Sequence, residues 1–127
     1  MARWKSGPVV LFVDDDPGVL NAVRRSFRDE PVEILTAGSA DEALGWIGEM
    51  PVDLIVTDQR MPGMAGTELL LEVRKRSPKT AGALLTGFPT PSTVRSGRES
   101  GADAVLTKPW NDDVLVRTVR RLVGKSG

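Results

Sequence analysis

Five short apolar runs recur along this chain, and each is followed by a stretch whose apolar residues return every three or four positions. No other feature constrains the fold so tightly. Parallel strands need a long crossover between them, usually a helix, so this alternation predicts an α/β domain with a parallel sheet. The predicted strands are Pro8–Val13, Val32–Ala37, Val52–Thr57, Ala81–Thr86 and Ala104–Thr107. They are nearly continuous in apolar residues, as strands covered on both faces are.

Local chemistry supports the helices between them. Pro17–Arg28 carries Val19, Leu20, Val23 and Phe27 on one face, with Asp16 placed to cap it and Pro17 at its first position. Ser39 and Glu42 form a capping-box pattern for a helix running to Glu49, which Pro51 stops. Thr67–Arg76 follows the loop Met61–Gly66, and Asn111 caps a last helix that Gly124 ends. The segment Pro91–Gly101 completes the alternation poorly. Val94 is its one large apolar residue, and Gly97 sits mid-helix, where glycine costs about 0.8–1 kcal/mol relative to alanine. A short, marginal fourth helix held by caps more than by packing is expected.

A chain of 127 residues suits one domain, 1–127, with its core at about 8–123. Five repeats fit the flavodoxin-like strand order 2-1-3-4-5, which puts strands 1 and 3 side by side. Ligands of such sheets bind beyond the carboxyl ends of the strands at that switch point. Asp14-Asp15-Asp16 follow the first strand, Asp58 ends the third, Thr86 the fourth, and Lys108-Pro109 follow the fifth. Each has an ordinary reading: loop polarity, an N-cap, turn chemistry, a surface lysine. Together they put carboxylates, a hydroxyl and an ammonium at one edge of one sheet.

Composition narrows the chemistry. Lys+Arg and Asp+Glu are 17 each, so there is no net charge to draw the chain to nucleic acid or an anionic membrane. Arg117, Arg120 and Arg121 read as a solvated last helical turn. No cysteine or histidine is present, which removes thiol catalysis, zinc sites of those ligands and a histidine base. No apolar run nears the ~20 residues of a membrane span, and Met1–Gly7 is too short and polar for a signal peptide, so a cytoplasmic location is expected. Ionised carboxylates brought together need a cation. Hard oxygen ligands suit Mg²⁺. Asp58 can then act as a nucleophile, forming an aspartyl phosphate, with Lys108 and Thr86 steadying the phosphoryl oxygens.

The motifs Val13-Asp14-Asp15-Asp16, Asp58-Gln59-Arg60-Met61-Pro62-Gly63-Met64, Leu85-Thr86-Gly87 and Thr107-Lys108-Pro109-Trp110 resemble the receiver domains of bacterial two-component response regulators, over about Pro8–Val123. The resemblance implies that Asp58 takes phosphate from the phosphohistidine of a partner sensor kinase or phosphotransfer protein. It implies that Asp14, Asp15, Asp58 and the backbone carbonyl of Arg60 bind Mg²⁺, that Thr86 and Lys108 hold the phosphoryl group, and that Lys108–Pro109 is cis. It implies a signalling protein, with no enzymatic role beyond self-phosphorylation and autodephosphorylation. The face of the fourth helix, fifth strand and fifth helix would switch and offer a surface for a homodimer.

There are departures from the family pattern. Val105 stands where many receivers carry a switching aromatic residue, and Ala65 replaces an acidic residue in the Met-Pro loop. Arg60 and Phe88 flank the site, where they are expected to crowd the attacking water and prolong phosphorylation. A phosphatase of the haloacid-dehalogenase type needs a second aspartate where Arg60 stands, and a flavin module needs a phosphate loop where three carboxylates stand. A pseudo-receiver that binds partners without taking phosphate is the alternative. The wording around Asp58 and Lys108 also resembles receivers fused to cyclic-di-GMP phosphodiesterases or hybrid kinases. With no output domain after Gly127, a stand-alone or excised receiver is expected.

Overall fold

The computed structural model describes residues 7–87 and 89–124. They form β1 (Val9–Val13), α1 (Pro17–Ser26), β2 (Glu33–Ala37), α2 (Ala40–Glu49), β3 (Leu54–Thr57), α3 (Gly66–Arg76), β4 (Ala81–Thr86), α4 (Pro91–Glu99), β5 (Ala102–Thr107) and α5 (Asp112–Val123). The five strands are parallel in the order β2-β1-β3-β4-β5. This is the flavodoxin-like architecture expected from the alternation.

Side chains of a strand point alternately to its two faces, and here both faces are apolar. Val10 and Phe12 of β1 join Val56 of β3 and Leu85 of β4 under α1 and α5, against Phe27 and Leu115. Leu11, Val13, Ile55 and Leu84 face the other way, toward Leu69 and Val73 of α3. Phe12 and Phe27 lie with ring centroids 5.7 Å apart and planes tilted by 48°. Burying one such side chain contributes about 1.5–3 kcal/mol.

The caps fall where the sequence places them. Asp16 accepts from the Gly18 amide at 2.8 Å. Ser39 accepts from the Glu42 amide at 3.1 Å, and Glu42 returns to the Gly38 amide at 2.8 Å. Asn111 accepts from the Val114 amide at 3.1 Å. Asp53, the one charge in the third apolar run, closes the opposite edge of the sheet. Its carboxylate accepts from the Val9 amide at 2.8 Å. On the edge strand β2, Trp46 donates to the Thr36 carbonyl at 3.1 Å and Arg24 to the Thr36 hydroxyl at 3.0 Å.

Two expectations change. β5 begins at Ala102, two residues early, because the β4–β5 register slips between Gly82 and Ala83. Ala102 pairs with Gly82 and Ala104 with Ala83, so the exposed Asp103 falls at the slip, which hides the start of the strand in a polar-looking sequence. The second change concerns α4. It is short and capped, as expected, and the capping residue is Thr90. Gly97, though, is buried against the sheet rather than an idle weakness. A Cβ there would lie 2.8 Å from Leu84 Cδ1 and 3.4 Å from Val105 Cγ2. The glycine lets the helix backbone rest directly on β4 and β5.

Gly97→Ala therefore sets two effects against each other. Helix propensity favours alanine by about 0.8–1 kcal/mol. Overpacking against the fully buried Leu84 costs about 1–3 kcal/mol. Sterics should win, and urea unfolding is expected to show a net loss of about 1 kcal/mol. A more stable variant would mean that α4 does not rest on the sheet through this residue.

Candidate functional site

Parallel pairing decides which carboxylates meet. Val13 of β1 pairs with Thr57 of β3, so the next residues, Asp14 and Asp58, leave the sheet side by side. The Asp58 amide donates to the Val13 carbonyl at 2.9 Å, and the Asp14 amide to the Ala37 carbonyl at 3.1 Å. Asp14 and Asp58 are buried, at 4% and 8% exposure, whereas Asp15 is exposed. One carboxylate oxygen from each of the three lies within 4.8 Å of the others. Asp16 turns away to cap α1, so the ordinary N-cap reading holds for it and not for its two neighbours.

Lys108 reaches the same point from the end of β5. Its ammonium is 2.8 Å from Asp14 Oδ2 and 3.5 Å from Asp58 Oδ2. Its amide donates to the Thr86 carbonyl at 2.9 Å, and the Lys108–Pro109 bond is cis, as the resemblance implied. Thr86 is buried at 1% exposure at the same edge of the sheet. Burial pulls the Lys108 pKa down, but the hydrogen bond and charge of Asp14, with the charge of Asp58, outweigh it and the net direction is up. Lys108 is therefore an ammonium throughout the physiological range.

Asp58 is the strained member. Burial pushes its pKa up from 3.8 and the Asp14 charge adds to that, against the opposing pull of Lys108 and of the Gln59 amide. Three carboxylates facing one ammonium lack two positive charges, the charge of a single divalent cation. An all-oxygen donor set partly withdrawn from water suits Mg²⁺, which keeps several of its waters. The residues present fit that ion.

The loop after β3 folds back tightly. The Gly66 amide donates to the Gln59 carbonyl at 3.0 Å, and a Cβ on Gly66 would lie 2.2 Å from the Asp58 carbonyl oxygen. Only glycine fits there. Arg60 sits exposed on this loop, two residues after Asp58. Phe88, the other residue expected to flank it, lies outside the described residues. Trp110 closes the Thr107-Lys108-Pro109-Trp110 motif. Its indole donates to the Ser26 hydroxyl and to Asp112 Oδ1, each at 3.1 Å, and ties the β5–α5 junction to the last turn of α1.

The sign of the Asp58 shift gives a stability prediction. A raised folded-state pKa means that the metal-free fold favours the neutral acid. That stability is complete at acidic pH and is lost as pH rises through the folded pKa. Asp58→Asn, which stays uncharged, should melt above the wild type at pH 7 in a chelator. The gap should close as pH falls toward 3.8, and it should narrow when Mg²⁺ is added. Thermal melts across that range check this, and a wild type as stable as the variant at pH 7 in chelator would contradict it.

Comparison with known proteins gives a family for the chain. The sequence profile of the response regulator receiver domain matches residues 10–120. The hydrogenase transcriptional regulatory protein HoxA of Cupriavidus necator is 40% identical over 119 residues, 93% of this chain and 24% of that protein. The transcriptional regulatory protein AruR of Pseudomonas aeruginosa is 35% identical over 121 residues, 91% of this chain and 49% of that protein. The chain thus spans between a quarter and a half of these relatives. Among solved structures, a CheY-like receiver domain protein from Methanospirillum hungatei superposes with a TM-score of 0.89 at 29% identity, covering 95% of this chain and 97% of that one. The signal receiver domain of an HD domain-containing protein from Pseudomonas fluorescens gives 0.90 at 27% identity, covering 94% and 97%. The chain belongs to the response regulator receiver domain family of two-component systems.

Proposed function

We propose that Asp58 is the phosphoacceptor of this receiver. The observation that carries the reading is the convergence of Asp14, Asp58 and Lys108 from the ends of three different strands. Asp14, Asp15, Asp58 and the backbone carbonyl of Arg60 would hold Mg²⁺. When bound, the ion supplies charge neutralisation and a template for the phosphoryl oxygens.

The chain's own residues do the rest. An oxygen of the Asp58 carboxylate attacks phosphorus, forming the acyl phosphate bond as the donor's P–N or P–O bond breaks. The electron pair leaves with the donor, an imidazole or an acetate. Lys108 offsets the charge on the transferred group, and Thr86 donates its hydroxyl to it. The chain has no histidine, so a phosphohistidine donor comes from a partner, a sensor kinase or a phosphotransfer protein. The face of α4, β5 and α5 would pass the change to an output domain, a target or a second copy.

Intact-mass analysis after incubation with acetyl phosphate tests this. One phosphoryl adduct is expected on the wild type, dependent on Mg²⁺ and absent from Asp58→Asn. No adduct on the wild type, with no binding of beryllofluoride, would favour a pseudo-receiver that works by contact alone.

A further inference from the structure

Helix α3 begins without a cap of its own. A helix N-terminus leaves its first amides unpaired, and the residue before it normally supplies an oxygen to the second or third of them. Here that residue is Ala65, whose side chain has no acceptor. Glu68 makes only the return half of a capping box, accepting from the Ala65 amide at 2.8 Å.

The missing oxygen comes from Gln59. Its Oε1 accepts from the Thr67 amide, the second of the helix, at 2.9 Å. Its Nε2 donates to the Thr67 hydroxyl at 3.3 Å. A backbone amide can only donate, so the orientation of the glutamine amide is fixed by its partner. The same residue holds the site. The Gln59 amide donates to Asp58 Oδ1 at 2.8 Å, and its carbonyl accepts from Gly66 at 3.0 Å. The loop carrying Arg60 is thus pinned at both ends by one side chain and its own backbone.

We infer that Gln59 is a positioning residue for the Mg²⁺ pocket: as the surrogate cap of α3, it fixes the loop that presents the Arg60 carbonyl beside Asp58. The inference rests on the Mg²⁺ reading above. Ligands are held in place by their own hydrogen-bonded supports, and loss of a support typically weakens metal affinity by about 10–100-fold. Gln59 differs from an ordinary cap in that it spans the helix and the carboxylate. A local cap can restore the helix without restoring the tether.

Calorimetric titration with Mg²⁺ alone, without phosphodonor, tests this alongside thermal melts. Gln59→Leu keeps the size but loses both hydrogen bonds, and its Mg²⁺ affinity should fall about tenfold. Adding Ala65→Ser supplies a local cap. The double variant should regain melting temperature but not Mg²⁺ affinity. Thr67→Val removes only the hydroxyl and should show a smaller loss, and it decides the matter should Gln59→Leu fail to fold. Unchanged Mg²⁺ affinity in Gln59→Leu or, failing that, in Thr67→Val overturns the inference. So does full recovery of affinity with Ala65→Ser, which would make Gln59 a helix cap and nothing more. A wild type that binds no Mg²⁺ overturns the pocket reading itself, a result distinct from wild type and variants binding alike.

Discussion

Two carboxylates forced together by strand pairing govern this molecule. Asp14 and Asp58 follow a paired couple of residues on adjacent strands, so neither can withdraw from the other without breaking the sheet. Water would normally screen them, but both are buried. Lys108 eases the conflict, and the upward pull on Asp58 comes first from burial, with the Asp14 charge adding to it. A buried ion pair is weak evidence for stability, since desolvation can exceed the attraction. The cluster makes better sense as a site held ready for added charge. A cation and a phosphoryl group change its balance in opposite senses, and the sheet gives it no way to relax by spreading.

Rigid surroundings are what keep such a conflict in place. The three strands that deliver Asp14, Asp58 and Lys108 are anchored by apolar residues on both faces. The three segments beyond the strand ends are anchored separately. Asp16 caps α1 immediately after Asp14 and Asp15. Gly66 folds the β3–α3 loop onto the Asp58 carbonyl. Trp110 locks the segment after Lys108 to Ser26 and Asp112. Asp14, Asp15 and Lys108 therefore sit close in sequence to an anchor, and Asp58 is itself the residue onto which Gly66 folds.

The sheet order and the convergence at its edge were legible because both follow from periodicity. A strand that is apolar throughout has to be covered on both sides, and charges at its end have to meet at the switch point. What stayed hidden depends on distances between segments. Gly97 looks like a weakness in a helical pattern, and only the proximity of Leu84 and Val105 shows it as a packing contact. Asp103 looks like a loop residue because a register slip cannot be read from composition. Asp53 looks like a flaw in a strand until its carboxylate is found on the Val9 amide. Ala65 announced a missing cap, but the sequence could not say that a residue six positions earlier fills the gap. Glutamine reaches there only because Gly66 brings the loop back onto itself.

Val105 limits how a change at Asp58 can leave the domain. A β-branched side chain has few rotamers, and this one is half-buried beside Gly97. It has no ring to swing between a buried and an exposed position. A rotamer switch at this residue would move too little surface to be read by a partner. On the proposed phosphoacceptor reading, the change would leave by way of the contact between α4 and the sheet. The α4–sheet contact suits that task. Where side chains interdigitate, a helix shifts only by unlocking them. At Gly97 the helix presents bare backbone to the methyl groups of Leu84 and Val105, so a small slide exchanges one close contact for another. The same glycine that lowers the helix propensity of α4 thus removes the knob that would otherwise hold it in one register.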